Sequence, residues 1–554
     1  MIEAISTGYN FITDIVHRGY HPVVLELNEP EESVTAEDRK IAYAKIKDPF
    51  EIIQEQESYE KTLALVKTYD PVVILAGAEE AVYAATQLSE DLGLPGNPMK
   101  NIDKMIKKDA MHMALKEAGM RYIKGEVVAT PSAALDFCRQ NDLKKAVVKP
   151  LQSAASQGLF LCDDLHQVHS AVEQLLQMKD LFGNPIREVL IQERIEGTEY
   201  IVNTMSSAGK HRLSSFFRYL KAATAEGGRI YDNVESIDRL EPGHNALIEY
   251  ALQTAEAIGI RYGSIHGEYM VDEKGPVLIE VNCRPMGCGF QAGFMDLIYG
   301  QHETDSVLDA YLATGKFAVQ AEKPYRPLRK GYIKLIMVPE NIEAESLPVW
   351  TIAENLRSTY KINVSGREEI RSFIKTRDLE SAGGTIFLVH DDPNVVEHDL
   401  NLLTMIEKKY FSFLLNDGMS RRWFPYPEDP GQQMDLQALA EKEGSTLIVT
   451  QKKAPVGGAL LIHPREIGKV TDGFDQVIID LGDWVTGINE VRCLETVFAI
   501  MKKAKVGGHV LITPECWRYF SYQREGAELL LSVLGYTIEA PLPGQGQLVI
   551  GTRY

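Results

Sequence analysis

Two segments near the middle of the chain place carboxylate, amide and guanidinium side chains at alternate positions. The segment HGE ends at Glu268, and the segment EVNCR runs from Glu280 through Asn282 to Arg284. Alternate residues of a strand share one face, so the second set projects together if its strand extends to Arg284. Two carboxylates and an amide oxygen form a hard oxygen site that suits Mg²⁺ bound to phosphate, and a neighbouring arginine binds phosphoryl or carboxylate groups bidentately. Each residue alone could be a solvated charge, but the complete set indicates a site.

Two lysines precede these segments. Lys149 follows the apolar residues 146–148 at the end of the predicted strand AVVKP (146–150) and precedes Pro150, and a lysine at this position can point its charge into a cleft. Lys108 lies in an amphipathic helix predicted over 103–118. Each lysine alone could equally be a solvated surface residue, so their value depends on their position relative to the loop that follows Lys149.

That loop, LQSAASQG at 151–158, contains Ser153, Ser156 and Gly158. Small residues let backbone N–H groups approach phosphate oxygens. The Walker A spacing is absent, so a flexible surface hairpin remains the alternative interpretation.

A predicted hinge between two strands forms the third signal. It lies in QERIEGTEY at 192–200. Backbone N–H and C=O groups exposed at such a hinge could pair with an adenine edge, and a nearby acidic side chain could accept hydrogen bonds from ribose hydroxyls. An ordinary connection between strands explains the segment equally well.

These pieces occur along the chain in an order that resembles the ATP-grasp superfamily. The resemblance covers about residues 1–420, and its most specific element is the E-x-N-x-R pattern with the upstream H-x-E. Within the superfamily, the chain looks most like the L-amino acid ligase group that makes dipeptides, near the carnosine synthase type.

The resemblance implies a role for each matching position. ATP would be held by Lys108 and Lys149 at the phosphates, Ser153, Ser156 and Gly158 in a mobile loop, Glu193 and Ile195 at adenine, and Glu199 near the ribose. Mg²⁺, expected as two ions with Mn²⁺ as an alternative, would be held by Glu268, Glu280 and Asn282. Catalysis would depend on Arg284 and Lys149, and the substrate would contact Arg284, Gly287 and Gly289.

The implied activity is an ATP-dependent carboxylate–amine ligase. It would join amino acids, or an amino acid and another small carboxylate or amine, through an acyl phosphate, and release ADP and phosphate. One alternative is bicarbonate chemistry of the biotin carboxylase type, although no Met-Lys-Met biotin-carrier core is present. The others are an ATP-binding regulatory or assembly protein without turnover, and a bifunctional ligase–methyltransferase.

Composition limits the partners and the compartment. The net charge of -20 argues against nucleic acid as the main partner. Neither a basic, apolar leader nor an apolar run of about 20 residues is found, so we expect no membrane segment and a cytoplasmic location. The six cysteines form no Cys-x-x-Cys pair, which is typical of reduced thiols in that compartment. A homodimer is the family expectation.

The elements that must position these residues predict an α/β and α+β multidomain protein with an ATP-grasp fold. Strands predicted at 2–6, 22–27 and 71–76 alternate with helices. We therefore expect the following domains: a Rossmann-like N-terminal domain at 1–100, an ATP-grasp domain at 101–330 with a lid at about 125–205, the end of the ligase core at 331–425, and an appended methyltransferase-like Rossmann domain at 435–554. No Gly-rich first turn of the G-x-G type precedes the strands of the appended domain, so we expect it to be non-catalytic.

Overall fold

The computed structural model describes most of the chain up to residue 417 and shorter stretches beyond residue 444. The described residues are 1–28, 34–151, 158–178, 185–223, 229–287, 290–343, 348–354, 356–364, 372–377, 381–417, 445–450, 459–462, 467, 469–470, 473–480, 499–501, 503–512, 536–538 and 549–553. Within these ranges, none of the helices combines the length and apolar character that a membrane-spanning segment requires.

The chain divides into two compact units. The first comprises Met1–Leu335, Arg377–Glu380 and Val389–Pro393, and the second comprises Ile336–Thr376, Ser381–Leu388 and Asn394–Tyr554. All the residues of the predicted site belong to the first unit.

The first hundred residues form a small parallel sheet with helices around it. The elements are the strands Val23–Glu26 and Glu51–Gln54 and the helices Asn10–His17, Val34–Tyr43, Tyr59–Lys67 and Ala81–Asp91. The two strands pair in parallel, and Ile2 forms isolated parallel bridges to Leu25 and Ala76. The strands predicted at 2–6 and 71–76 are therefore reduced to single bridges. Pro71 lacks an N–H group and Val72 is 53% exposed, so the latter segment pairs only near its end.

A helical connection leads to a four-stranded antiparallel sheet. The connection contains the 3₁₀ helix Met99–Asn101 and the helices Ile102–Ile106 and Lys108–Glu117. The sheet has the strand order Gly125–Val128, Val189–Glu193, Ala146–Pro150 and Phe160–Cys162, with the helices Pro131–Gln140 and Leu165–Leu175 packed against it. Both helices start at side-chain caps, because Thr130 and Asp164 accept hydrogen bonds from backbone N–H groups in the first turn.

A larger antiparallel sheet positions most of the candidate site. In the first unit its strand order is Gly275–Asn282, Gly263–Asp272, Thr198–Ser207, Lys210–Ala223, Arg229–Ser236 and Lys330–Leu335. The helices of this region are His244–Ile258, Ala292–Tyr299, Glu303–Leu312 and Thr314–Ala321. The helix His244–Ile258 ends at Gly259, whose φ of 85° is a left-handed conformation that glycine adopts without strain. The prediction of an antiparallel sheet from these strands is confirmed.

One face of this sheet is apolar and packs against the helix His244–Ile258. Leu247 of this helix is fully buried among residues of that face such as Phe216 and Leu278. The side chains on the opposite face include Glu268 and Glu280, which are cross-strand partners. The buried face therefore fixes the register that presents the polar residues together.

The mutation Leu247→Ala tests this core. Removing a fully buried leucine side chain should lower the free energy of unfolding by about 2–5 kcal/mol. The exposed Gln253 lies on the same helix, and Gln253→Ala should change the free energy by no more than about 0.5 kcal/mol. Urea unfolding followed by circular dichroism measures both variants. Equal unfolding midpoints for the two variants would show that this core does not stabilise the unit.

The second unit contains two short antiparallel pairs and a mainly parallel sheet. The pairs join Ile342–Glu343 to Ser372–Phe373 and Thr359–Val364 to Gly384–His390, and the helices are Pro348–Ala353 and Pro393–Asp417. The larger sheet has the order Ala459–Ile462, Thr446–Thr450, Phe474–Asp480, Ala504–Ile512, Val549–Arg553 and Tyr536–Ile538. Its first four strands are parallel and its last two pair antiparallel. These parallel strands lie in the segment that is expected to be Rossmann-like.

Candidate active site

Two carboxylates face each other across neighbouring strands. Glu268 is the cross-strand partner of Glu280, and His266 is the partner of Asn282. The residue after Glu268 is Tyr269, which is fully buried on the opposite face. A Cβ atom on Gly267 would lie 2.6 Å from the Tyr269 ring, so the glycine of the HGE segment gives this ring room.

A break in the predicted helix at 103–118 places Lys108 beside this pair. Lys107 has an extended backbone, and a new helix begins at Lys108. The first turn of a helix disfavours a cation, but the Lys108 ammonium lies 2.9 Å from the Glu280 carboxylate. Burial alone would lower the pKa of Lys108, yet the charges of Glu280, Glu79 and Glu268 raise it above its ordinary value. Lys108 is therefore a cation held against the acidic pair.

Lys149 approaches the same carboxylates from the four-stranded sheet. It lies on the strand Ala146–Pro150 and is 5% exposed. Burial lowers the pKa of Lys149 to about 8, with Lys108 acting in the same direction and Glu280 opposing it. The buried His112 has a pKa lowered to about 3 by burial and by the charge of Lys149, so it is neutral near pH 7. Two lysines thus converge on two glutamates.

The side chains of Arg284 and Asn282 both contact Glu79, which was not part of the motifs found in the sequence. The Arg284 guanidinium lies 3.1 Å from Glu79, and the Asn282 amide lies 2.8 Å from it in the orientation in which its nitrogen donates. Glu79 follows the apolar segment 71–76 near the carboxyl side of the small parallel sheet, which is where ligands of open α/β sheets commonly bind. This position is the sequence signal that could have identified it.

The three hinge residues lie in two different environments. Glu193 forms two hydrogen bonds with the backbone of Lys124. The Glu193 carboxylate accepts from the Lys124 N–H at 3.0 Å, and the Glu193 N–H donates to the Lys124 carbonyl at 2.9 Å. Ile195 is half-buried just beyond the strand. Glu199 is buried on the larger sheet, where Lys221 and Tyr231 donate to it at 2.5 Å and 3.0 Å. Burial raises the pKa of Glu199, with Glu268 adding to the effect. The nucleotide roles of these residues stay predictions.

Gly158 and Gly287 lie in turns between the regular elements. Gly158 has a φ of 72°, and a Cβ there would lie 3.0 Å from Pro150, so a larger residue would be strained. Gly287 lies beside Arg284, with 3.7 Å between the position of a Cβ and the guanidinium. The predicted contacts at Ser153, Ser156 and Gly289 lie outside the described residues.

The donor set suits a hard cation although it is not a cluster of conventional ligands. In the described part of the chain, no group of three or more His, Cys, Asp and Glu residues is arranged to hold a metal ion. The predicted metal ligands do not form such a group, because only Glu268 and Glu280 are carboxylates and the third ligand is the amide of Asn282. Oxygen donors of this type fit Mg²⁺ that retains water and phosphate ligands.

Comparison with known proteins identifies the region that contains this geometry. Residues 144–291 match the ATP-grasp domain family. The chain contains an ATP-grasp domain. The matched residues include Lys149, both carboxylates and Arg284, which are the groups that converge in the structure.

Relatives of the whole ligase region agree with this assignment. Dapdiamide A synthase from Enterobacter agglomerans is 26% identical over 363 residues, which cover 65% of this chain and 84% of the relative. The L-amino acid ligase from Bacillus licheniformis superposes with a TM-score of 0.55 at 16% identity, over 73% of this chain and 96% of that one. N5-carboxyaminoimidazole synthase from Aspergillus clavatus, solved with ADP and 5-aminoimidazole ribonucleotide, gives 0.53 at 13% identity, over 74% and 98%.

These findings confirm three predictions from the sequence. The chain is related to the ATP-grasp ligases and resembles the L-amino acid ligase group. Its fold class is that of the ATP-grasp proteins. The prediction of an ATP-grasp carboxylate–amine ligase agrees with the matched domain and with relatives named as a synthase and a ligase.

Proposed function

We propose that this enzyme joins the carboxylate of one amino acid to the amine of another by way of an acyl phosphate. The observation that carries the proposal is the convergence of Lys108 and Lys149 on the Glu268–Glu280 pair, with Arg284 held nearby by Glu79. Amide-forming names among the relatives, an L-amino acid ligase and dapdiamide A synthase, support amino acids as the substrate class.

Glu268, Glu280 and Asn282 would hold Mg²⁺ in this proposal. When bound, the ion would neutralise phosphate charge that the lysines alone cannot balance. Tyr219 donates a hydrogen bond to Glu268 at 3.3 Å, which orients this carboxylate before any ligand arrives. A preset carboxylate orientation reduces the reorganisation needed on binding.

Arg284 would bind the anionic group of the substrate. Its guanidinium already has an anionic partner in Glu79, and the Arg284 side chain is 15% exposed. A carboxylate or phosphoryl group of the substrate can share or replace this partner, since a guanidinium has five donors. The positive charge would then stabilise the oxygens of the acyl phosphate.

The reaction would proceed in two displacements. A carboxylate oxygen of the first substrate attacks the γ-phosphorus of ATP, and the bond to the β,γ-bridging oxygen breaks to release ADP. The amine of the second substrate then attacks the acyl carbon, loses a proton to solvent or a nearby base, and displaces phosphate. Lys108 and Lys149 would hold the phosphate oxygens in line for the first step.

A substrate panel tests the proposal. The protein is incubated with ATP, Mg²⁺ and the standard amino acids singly and in pairs, and products are detected by mass spectrometry. Release of ADP that depends on amino acids, together with a new amide, is expected. Tight ATP binding without turnover would instead support a regulatory protein and contradict the ligase.

The lowered pKa of Lys149 predicts a pH dependence of nucleotide binding. Lys149 is protonated below its pKa of about 8 and loses its charge as the pH rises above it. Affinity for a non-hydrolysable ATP analogue with Mg²⁺ should therefore fall above pH 8 by up to about tenfold per pH unit. Lys149→Arg stays charged throughout this range and should flatten the profile. Calorimetry from pH 7 to 9.5 measures both, and parallel profiles would show that Lys149 does not contact the phosphates.

The proposal includes several finer assignments. Two Mg²⁺ ions would be bound, with Mn²⁺ as a functional substitute, and the enzyme would act in the cytoplasm as a homodimer on small molecules, without nucleic acid or membrane partners. Residues 1–100, 101–330 (with a lid at about 125–205) and 331–425 would form the ligase core. Residues 435–554 would be an appended domain without a catalytic role. Calorimetry with S-adenosylmethionine tests that last assignment, because binding would indicate a bifunctional enzyme.

A further inference from the structure

A buried glutamate outside the cluster of Lys108, Lys149, Glu268 and Glu280 accepts three hydrogen bonds. Glu303 is 5% exposed and is the first residue of the helix Glu303–Leu312. One carboxylate oxygen accepts from Asn203 at 2.6 Å and from Ser215 at 3.2 Å. The other accepts from the backbone N–H of Met286 at 2.7 Å. A buried carboxylate is costly unless it is hydrogen bonded, so these donors explain how it is retained there.

One carboxylate oxygen of Glu303 holds the backbone just after Arg284. Met286 is two residues beyond Arg284, and its N–H is held by Glu303. Thr7 fixes the same loop at two more points, because its hydroxyl donates to the Gly287 carbonyl at 3.2 Å and accepts from the Phe290 N–H at 2.9 Å. The loop thus has backbone anchors on two sides.

The other side of Glu303 leads to the carboxylate pair. A carboxylate only accepts hydrogen bonds, so the Asn203 amide must turn its nitrogen toward Glu303. Its oxygen then faces Nδ1 of His266 at 3.0 Å. Because that oxygen cannot donate, His266 must carry a proton on Nδ1. The other ring nitrogen of His266 lies 3.5 Å from Glu268.

We infer that Glu303 is a positioning residue of the active site. It holds the backbone of the Arg284 loop and, through Asn203, sets the orientation and tautomer of the His266 ring beside Glu268. The inference rests on the proposed function, because it gives Glu303 a part in placing the substrate-binding arginine relative to the metal-binding carboxylate. Glu303 touches neither substrate nor ion in this scheme.

The variant Glu303→Gln probes this role without changing side-chain volume. A glutamine offers one acceptor oxygen and one donor nitrogen. If its oxygen faces Asn203, its nitrogen opposes the Met286 N–H, and the loop loses its anchor. If its oxygen faces Met286, its nitrogen opposes the Asn203 nitrogen, and the amide must turn away from its present orientation. Either arrangement therefore breaks one of two hydrogen bonds, the one from the Met286 N–H or the one from the Asn203 nitrogen.

The double variant Asn203→Asp/Glu303→Gln should restore hydrogen bonds both to residue 203 and to the Met286 N–H. The glutamine nitrogen can donate to Asp at 203, and the glutamine oxygen can accept from the Met286 N–H. The new aspartate can still accept from Nδ1–H of His266, and the total formal charge is unchanged. A role based only on packing volume would predict no such rescue.

The test uses the full-length protein and two independent measurements. Turnover is followed as ADP release with MgATP and an equimolar mixture of the twenty standard amino acids. Hydrogen exchange of the peptide spanning residues 284–292 is followed by mass spectrometry without substrate. Glu249→Gln, on the exposed face of the helix His244–Ile258, is the matched control.

Glu303→Gln should lower kcat/KM for the amino acids by about 100-fold and speed exchange of the 284–292 peptide, while the KM for ATP stays close to that of the wild type. The double variant should recover most of both losses. Wild-type turnover and exchange in Glu303→Gln, or a double variant no better than the single one, would overturn the inference. If the wild type releases no ADP with amino acids, the proposed function fails, and the exchange data still decide whether Glu303 holds the loop.

Discussion

Glu280→Gln is expected to lower ADP formation by about 1,000-fold. The substitution keeps the size of the side chain but removes the charge that faces Glu268 across the strands and pairs with Lys108. It also removes the largest charge that supports protonation of Lys149, so the pKa of that lysine should fall below about 8. Loss of the proposed metal ligand and loss of the proposed phosphate-binding cation would therefore act in the same direction. Coupled detection of ADP with saturating MgATP and the amino acid mixture measures the effect.

Glu273→Gln is the matched control for this experiment. Glu273 is exposed in the turn that joins the same two strands, so its replacement should leave ADP formation unchanged. Circular dichroism confirms that both variants fold. Turnover in Glu280→Gln equal to that of the control would contradict the proposal that Glu280 binds the metal ion.

Arg284→Ala should reduce ADP formation by about 100- to 1,000-fold. Without the guanidinium, the proposed acyl phosphate would lose a bidentate partner, and Glu79 would be left without the positive charge that now pairs with it. The loss should appear in kcat/KM for the amino acids more than in the KM for ATP, because in the proposed scheme the lysines and the metal site would hold the nucleotide. Initial rates at varied amino acid and ATP concentrations separate the two constants.

Two further variants serve as comparisons for Arg284→Ala: the conservative variant Arg284→Lys and the control Arg326→Ala. Lysine keeps the charge without the planar donor fork, so its activity should fall between those of the wild type and the alanine variant. Arg326 is exposed and should tolerate alanine. An alanine variant at 284 that alters only the KM for ATP would place Arg284 at the nucleotide rather than at the substrate.

Local sequence pattern predicted the part of the site that one hairpin provides. The period of a strand places Glu280 and Asn282 on one face, and the buried Val281 between them faces the core. The same argument applies to Glu268 and its buried neighbour Tyr269. These positions depend only on neighbours along the chain and on one cross-strand register.

Contacts between distant segments could not be predicted in the same way. Glu79 lies 205 residues from its partner Arg284, and Glu303 lies 100 residues from Asn203. The apolar periodicity also predicted one continuous helix over 103–118. In the structure the backbone is extended at Lys107, and a new helix begins at Lys108 next to Glu280. Only the packing of the three sheets and their helices determines such contacts.

Transfer of oxygen from substrate to phosphate tests the central claim most directly. Amino acids labelled with ¹⁸O in the carboxylate are incubated in pairs with the enzyme, ATP and Mg²⁺, and the mass of the released phosphate is measured. An acyl phosphate requires one ¹⁸O atom in phosphate for each amide formed. Phosphate that contains no ¹⁸O while ADP accumulates would show that water, not the carboxylate, attacks ATP, and would contradict the account.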